Sequence, residues 1–202
     1  SISLREDALK LVLTRLPATL ELVALALAIA LALGVTLALA ATYWRGRWPE
    51  TLADTFAGLV QAIPDFLWAL LLILFFGVLL PWLPISGRLD PRSEFDFNSQ
   101  FYLIESLLRG EFALFTQLLK HLLLPAFALA LPLAAAIARV LKGSLIDTLN
   151  QDYVMLARVK GYSRARIVRG IALRNALIPT LSLTAVQFTF LIGGTVLVEY
   201  IY

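Results

Sequence analysis

The chain has little of what metal proteins and soluble enzymes depend on. Its 202 residues include no cysteine, one histidine (His121) and one methionine (Met155). The absence of cysteine excludes disulfides and thiolate metal sites. A single histidine and a single methionine are too few for an imidazole or thioether site. Charged residues make up only 15% and hydrophobic residues 60%, whereas a soluble domain has about 25% charged residues. The composition therefore places the chain among membrane proteins.

Motifs that carry catalysis are also missing from the sequence. It contains no nucleophile elbow, no His-Glu-x-x-His motif and no Walker A loop. We therefore predict a protein that is not an enzyme and binds no cofactor or metal of its own. The first residues lack the basic region, apolar core and cleavage site of a signal peptide. Since the chain also stops directly after an apolar run, we expect it to be a piece of a longer protein.

Long apolar stretches predict four membrane-spanning helices. A spanning helix needs about 20 mostly apolar residues, and the chain has four stretches that reach or approach this length without charge. We predict an all-α, polytopic membrane protein that forms a single transmembrane domain over 1–202. Its spans cover about residues 17–43, 54–83, 118–141 and 175–200.

The charges between the spans predict their orientation, because basic loops stay in the cytoplasm. The region 139–174 holds eight Lys or Arg against two Asp, and the short link 45–54 holds two arginines. The loop 84–116 holds three arginines against five acidic residues. We predict that segment 142–174 is cytoplasmic and that loop 84–116 lies in the periplasm or outside the cell. The loop could close over a cavity, dock a soluble partner or serve as scaffold.

Prolines fall within three of the predicted spans, at Pro64, Pro125, Pro132 and Pro179. Each removes a backbone hydrogen bond and tends to kink its helix. Two interpretations stay open. Membrane helices tolerate proline because neighbouring helices satisfy the backbone, or the kinked helices line a cavity or act as hinges.

Residues 152–171, DYVMLARVKGYSRARIVRGI, predict two basic helices separated by a glycine turn. Tyr153, Val154 and Ala157 form a small apolar stripe at helical spacing. Gly161 breaks the first helix and Ser163 can cap a second one, which runs into the fourth span. The segment could be a plain basic loop, a surface for anionic lipid or a docking surface for a cytoplasmic partner. Of these three, only a docking surface also explains the break at Gly161 and the rigid connection to the fourth span. Nucleic-acid binding is disfavoured, because the flanking spans hold the segment at the bilayer.

The stretch DYVMLARVKGYSRARIVRGIALRNALIP resembles the cytoplasmic signature loop of permease subunits of binding-protein-dependent ABC importers. The dipeptide, oligopeptide and nickel branch of that family writes the loop as D-Y-V-x-x-A-R-A-K-G followed by L-R-N-A-L-x-P. The stretches RLPATLEL, IPDFLWALLL, LPISGRLD and GGTVLVE are similar to the same branch. The resemblance implies four helices of a six-helix type I permease, with the family's first and last helices outside this chain.

The same resemblance implies a function in the bacterial plasma (inner) membrane. The protein would form the translocation path for peptides or a related small solute. Its partners would be a second, homologous permease subunit, two ATP-binding cassette subunits that hold ATP and Mg, an external substrate-binding protein and membrane lipid. An ion-gradient-driven secondary transporter or channel is the alternative, although no clear internal repeat supports it.

The first short helix of the family's loop is a coupling helix that sits in a groove of the ATPase. Carried over by position, the ATPase-coupling residues are Asp152, Tyr153, Met155, Ala157, Arg158, Lys160 and Gly161. Met155 stands where the wider family has glutamate, so a carboxylate contact is lost there. Arg158 and Lys160 are candidates for charged contacts with the ATPase, and simple anchoring at the membrane is the alternative.

Several other residues near the spans are candidates for function. Intramembrane carboxylates usually face a cavity or a partner, so we predict that Asp65, beside Pro64, faces the translocation path. A buried hydrogen bond to a neighbouring helix is the alternative for Asp65. Glu21 and His121 are predicted to be interfacial, with His121 not a metal ligand. For a gate or a contact between helices we predict Gly193, Gly194 and Glu199.

Overall fold

The protein is mostly helical in the part of the chain that the structure describes. The structure is a computed structural model that describes residues 3–89 and 96–202, and side-chain surroundings for 14–89, 96–192, 198, 201 and 202. Within these ranges there is no β-strand, and the predicted all-α class is confirmed. The helices are α1 (Ser3–Tyr43), α2 (Trp48–Ala62), α3 (Asp65–Leu72), α4 (Tyr102–Leu108), α5 (Phe112–Leu149), α6 (Asp152–Val159), α7 (Arg164–Arg166) and α8 (Leu173–Ile201). Two π-helical segments, Ile73–Leu79 after α3 and Ile167–Ala172 before α8, continue the helices beside them.

Three helical stretches are long and apolar enough to cross a membrane: Thr14–Tyr43, Phe112–Leu149 and Arg164–Ile192. A fourth is obtained if α2 and α3 with its π-helical continuation count as one interrupted span. The helices run past the predicted boundaries, most clearly in α5, which takes in residues assigned above to loop 84–116 and to segment 142–174. The lysines and arginines near the ends of the predicted spans do not end these helices, because their long stems let the charged head reach water.

Proline interrupts the helices at one of the four predicted positions. Ile63 and Pro64 separate α2 from α3, and Ile63 has the extended backbone (φ −103°, ψ 128°) that a following proline favours. Pro125 and Pro132 lie within α5, and Pro179 lies within α8, and neither helix is interrupted there. A long helix packed on its neighbours thus absorbs the lost hydrogen bond, whereas the predicted second span is divided in two.

The described chain divides into two compact units. The first comprises Ser1–Ala26, Asp65–Leu129 and Leu191–Tyr202, and the second comprises Leu27–Pro64 and Ala130–Phe190. In the second unit α1, α5 and the start of α8 pack around a core of small and branched residues: Ala38, Leu141, Leu145, Ala172 and Ala176. Alanine in such positions lets helix backbones approach closely.

In the first unit a carboxylate of α1 holds the start of α4. Glu21 accepts the backbone N–H groups of Leu103 at 2.9 Å and Ile104 at 3.3 Å. Its other oxygen lies 3.2 Å from the guanidinium of Arg88. The first N–H groups of a helix have no partner within the helix, and Glu21 supplies one at the start of α4 (Tyr102–Leu108).

A second carboxylate, Glu105, organises the segment before α4. It accepts the backbone N–H groups of Asn98 and Ser99, each at 2.8 Å, and the Ser99 hydroxyl at 2.7 Å. It also pairs with Arg109 one turn later in the chain. The backbone N–H of Asn98 is the main cause that lowers the pKa of Glu105 below its usual value, and the Ser99 groups and Arg109 act in the same direction.

Candidate functional site

The candidate site is the connection between α5 and α8, which holds the short helix α6. Asp152 stands in the first turn of α6, where a carboxylate is favoured by the helix dipole. Beyond its last residue, Gly161 has φ +80°, a conformation that glycine adopts without strain. The N–H of Tyr162 donates to the carbonyl of Ala157 at 3.2 Å, and that of Gly161 to Arg158 at 2.9 Å. These two bonds form a Schellman motif, so the turn predicted from Gly161 is present.

The chain after the turn re-enters a helix at Ser163. The Ser163 side chain accepts the backbone N–H of Arg166 at 3.4 Å and caps α7. From Arg164 the helical path continues through the π-helical segment into α8 without a break. The cap and the direct connection to the fourth span are as predicted, and together they make α6 and α8 parts of one stiff unit.

A small apolar core fixes α6 against this connection. Val154 and Ala157 are buried together with Ile167, and Leu149 and Ile171 pack beside them. Tyr153, the third member of the predicted stripe, does not belong to this core and is 44% exposed. Its hydroxyl instead accepts a 3.0 Å hydrogen bond from the side-chain amide of Asn175 in α8.

Part of the exposed surface of α6 is apolar. Met155, Leu156 and Val159 are 63%, 55% and 80% exposed. Residues four apart lie on one side of a helix, so Met155 and Val159 form a continuous patch with Leu156 beside it. Exposed apolar patches mark interaction surfaces. The sequence analysis does not predict this patch, because the basic residues around it are the more obvious candidates for binding a partner.

The charged residues of α6 are placed differently from one another. Arg158 turns back onto its own chain and donates to the carbonyl of Leu149 at 3.2 Å. Lys160 and Asp152 are exposed. Of the two basic residues predicted to contact a partner, Lys160 is open to one, while Arg158 has a bond within the chain.

A salt-bridge network of three residues lies in the second unit and is not predicted from the sequence. The Nζ of Lys142 in α5 lies 2.7 Å from Oε1 of Glu50 and 2.6 Å from Oδ2 of Asp54, both in α2. The two carboxylates stand four residues apart and so share one face of α2. That spacing was a visible signal, but nothing local pointed to Lys142 as the partner.

Asp65 is the first residue of α3, and Asp65 and Pro64 are both exposed at the break before it. Within the described residues the Asp65 side chain makes no ion pair and no hydrogen bond to another residue. The buried hydrogen bond considered as an alternative is therefore not seen there. The other predicted candidates are spread over the chain and do not join the α6 site.

The remaining predicted residues are as follows. Nδ1 of His121 lies 2.9 Å from the carbonyl oxygen of Gln117, one turn earlier. No group of three or more potential metal ligands occurs among the described side chains. Gly193, Gly194 and Glu199 belong to the helical backbone of α8, but their side-chain surroundings lie outside the described part.

Comparison with known proteins gives consistent matches. The profile of a family described as "Binding-protein-dependent transport system inner membrane component" matches residues 30–202. A di/tripeptide transport system permease protein of Pseudomonas aeruginosa is 39% identical over 202 residues, which is 100% of this chain and 60% of that protein. A dipeptide transport system permease protein of Alkalihalophilus pseudofirmus is 30% identical over 187 residues, 93% of this chain and 56% of that protein.

A glutathione transport system permease protein of Escherichia coli is 33% identical over 164 residues, 81% of this chain and 44% of that protein. The chain thus spans between 44% and 60% of the length of these relatives. The matched residues 30–202 include the whole of α6 and the turn after it.

Proposed function

Since the chain belongs to the family of binding-protein-dependent transport system inner membrane components, we propose that it is a transmembrane subunit of an ABC importer. It is a multi-pass membrane protein with helices that can cross a bilayer three or four times. The relatives named above act on di- and tripeptides, dipeptides and glutathione. We propose short peptides as the substrate class. The family match, rather than the substrate, favours an importer over an ion-gradient-driven carrier.

The observation that carries the proposal is the apolar face of α6, backed by a rigid support. Val154, Ala157 and Ile167 hold α6 from beneath, while Met155 and Val159 stay exposed. An isolated eight-residue helix is unstable in water, so one that is pinned in place and apolar outside suits insertion into a preformed groove. We propose that this groove belongs to an ATP-binding cassette subunit and that ATP hydrolysis takes place there.

The chemistry of this face explains the Met155 position. Where the wider family offers a carboxylate, this chain offers a thioether side chain that adapts to irregular apolar surfaces. We therefore propose that docking depends chiefly on apolar contact, with Lys160 as the remaining charged contact.

The connection to α8 would carry the movement. A conformational change needs a partner that binds two states with different affinity. If two ATPase subunits approach each other on binding ATP, they favour one separation of the α6 helices of two permease subunits. The Schellman turn, the Ser163 cap and the unbroken path into α8 would pass that displacement to the spanning helix.

The charge distribution supports a sidedness for this arrangement. The basic segment 142–174 would face the cytoplasm, and the acidic loop 84–116 would face the external substrate-binding protein. Asp65 would face the translocation path, where its carboxylate could meet the amino group of a peptide. Substitution Asp65→Asn is expected to lower peptide uptake several-fold, with Asp147→Asn, at another exposed position, as the control that leaves uptake unchanged.

Cysteine crosslinking in the assembled transporter tests the docking proposal. The chain has no cysteine, so Val159→Cys introduces a unique thiol on the α6 face. Leu108→Cys, on α4 and 81% exposed, is the matched control. We expect a crosslinker with one thiol-reactive and one photoreactive end to join Val159→Cys, but not Leu108→Cys, to a protein that peptide sequencing identifies as an ATP-binding cassette subunit. Equal crosslinking from both positions, or uptake that follows an ion gradient in the absence of ATP, would contradict the proposal.

A further inference from the structure

Three arginines from separate parts of the second unit line one cavity of about 380 Å³ beside α6. Arg45 comes from the connection between α1 and α2, Arg158 from α6 and Arg164 from the first position of α7. No aspartate or glutamate is among the residues that line this cavity in the described structure. We call it the arginine cavity, and all three arginines are exposed residues.

The contacts that these arginines make do not neutralise them. Arg158 donates to the carbonyl of Leu149 at 3.2 Å, and Arg164 donates to the carbonyl of Thr42 at 3.4 Å. The Arg164 guanidinium also lies over the ring of Tyr43, with Cζ 5.5 Å from the ring centre. A guanidinium has five N–H donors, so most of the donors around the cavity remain for a ligand.

The carboxylate that interacts with Arg45 is already occupied. Glu50 has an electrostatic interaction with Arg45, but its Oε1 is bound to Lys142 at 2.7 Å and its Oε2 accepts the Gly46 N–H at 2.6 Å. The arginine cavity therefore gathers three positive charges without a carboxylate of its own. Like charges brought together favour a bound anion.

The position of the cavity along the spans indicates the source of that anion. The first candidate span ends at Tyr43 and another begins at Arg164, so both ends meet at residues of the cavity or beside them. Trp44 in the adjoining connection and Trp48 at the start of α2 are exposed, Trp48 by 74%. Exposed tryptophans at the ends of spanning helices mark the level of the phospholipid headgroups.

We propose that the arginine cavity binds the phosphate of an anionic phospholipid headgroup. Basic pockets between spanning helices recognise such headgroups, and guanidinium groups match phosphate oxygens with paired hydrogen bonds. A lipid held there would contact both the α1–α2 connection and α6. The proposal assigns Arg158 to lipid binding rather than to ATPase binding. It depends on the helices spanning a bilayer and not on the proposed contact with an ATPase.

Retention of lipid by the purified transporter tests this assignment. Native mass spectrometry can count phosphatidylglycerol and phosphatidylcholine molecules bound to the detergent-solubilised complex. An arginine near an anionic surface contributes enough binding energy to change affinity about fivefold. We expect Arg45→Gln, Arg158→Gln and Arg164→Gln each to weaken phosphatidylglycerol binding by about that factor. Arg169→Gln, an exposed position of the neighbouring π-helical segment, is the control that leaves it unchanged.

Each other outcome overturns the proposal. An equal loss in Arg169→Gln would mean attraction to the membrane by general charge. Phosphatidylcholine held as tightly as phosphatidylglycerol would remove the requirement for an anion. Displacement of the lipid by millimolar inorganic phosphate, with phosphate binding that the three substitutions abolish, would assign the cavity to a free anion. Unchanged lipid retention together with loss of the Val159→Cys crosslink would assign the three arginines to the ATPase interface.

Discussion

The side-chain amide of Asn175 donates a 3.0 Å hydrogen bond to the hydroxyl of Tyr153. Tyr153 stands in the first turn of α6 and Asn175 in the first turn of α8. The two helices are already joined through the turn at Gly161, so this bond closes a ring and fixes the angle of α6 against the spanning helix. The bond gives a structural reason why the tyrosine of the D-Y-V motif and the asparagine of the L-R-N-A-L motif occur together in this chain.

The first prediction concerns this bond. Tyr153→Phe and Asn175→Leu should each lower peptide-stimulated ATP hydrolysis and uptake about two- to fivefold, since a hydrogen bond contributes about 0.5–1.5 kcal/mol and this one is exposed. The double substitution should be no worse than either single one, because both remove the same contact. Tyr162→Phe, at a similarly exposed tyrosine, is the control. Additive effects would show that the two side chains act independently.

The second prediction concerns the ion pair of Lys142. Lys142→Met removes the cation that Glu50 and Asp54 share and should lower the free energy of unfolding by about 2 kcal/mol, as for hydrogen bonds to charged groups. Adding Glu50→Gln and Asp54→Asn should recover part of this loss, because the repulsion disappears. Thermal unfolding in detergent measures both effects. Lys120→Met, at an exposed site of the same helix, should change little, and an equal loss there would refute the role of the pair.

The spans and the turn could be predicted from sequence because their signals are local. Apolar length predicts a membrane helix, and Gly161 followed by Ser163 predicts a helix end and a new helix start. The sequence does not predict that the second span is divided into α2 and α3. Pro64 and Pro125 are the same residue type in apolar surroundings, and only packing decides that α5 continues while α2 ends.

The contacts that shape the site could not be predicted, because they depend on how helices rotate and pack. Lys142 and Asp54 are 88 residues apart and Tyr153 and Asn175 are 22 apart. Of the stripe predicted from spacing, Val154 and Ala157 face Ile167 and are buried, whereas Tyr153 stays exposed, and the sequence does not show this difference. The basic residues can be counted from the sequence, but only the fold shows that Arg45, Arg158 and Arg164 line one cavity.

The third prediction concerns pH and Glu105. Its folded-state pKa is lowered from the usual 4.5, mainly by the backbone N–H of Asn98. Its contribution to stability is therefore complete well above pH 4.5 and is lost as the pH falls through the lower, folded-state pKa. The difference in thermal stability between the native protein and Glu105→Gln should shrink over that acidic range. Glu111→Gln, at an exposed position, is the matched control.

The fourth prediction concerns the approach of α1 to α5 at Gly34. A Cβ at this position would lie 2.6 Å from Cγ2 of Ile137 and 2.9 Å from the backbone oxygen of Ala134. Neither neighbour can yield cheaply, since one is a stiff β-branched side chain and the other is backbone. Gly34→Ala should therefore lower the free energy of unfolding by about 1–3 kcal/mol through overpacking, measured by thermal unfolding in detergent.

The matched control is Gly143→Ala in α5, where a Cβ meets nothing within 4 Å. There alanine should be neutral or stabilising by up to about 1 kcal/mol, because it is the better helix former. The opposite signs of the two substitutions separate close packing from helix propensity. If Gly34→Ala were as stable as Gly143→Ala, the helices would have room at Gly34 and the contact with Ile137 would not set their distance.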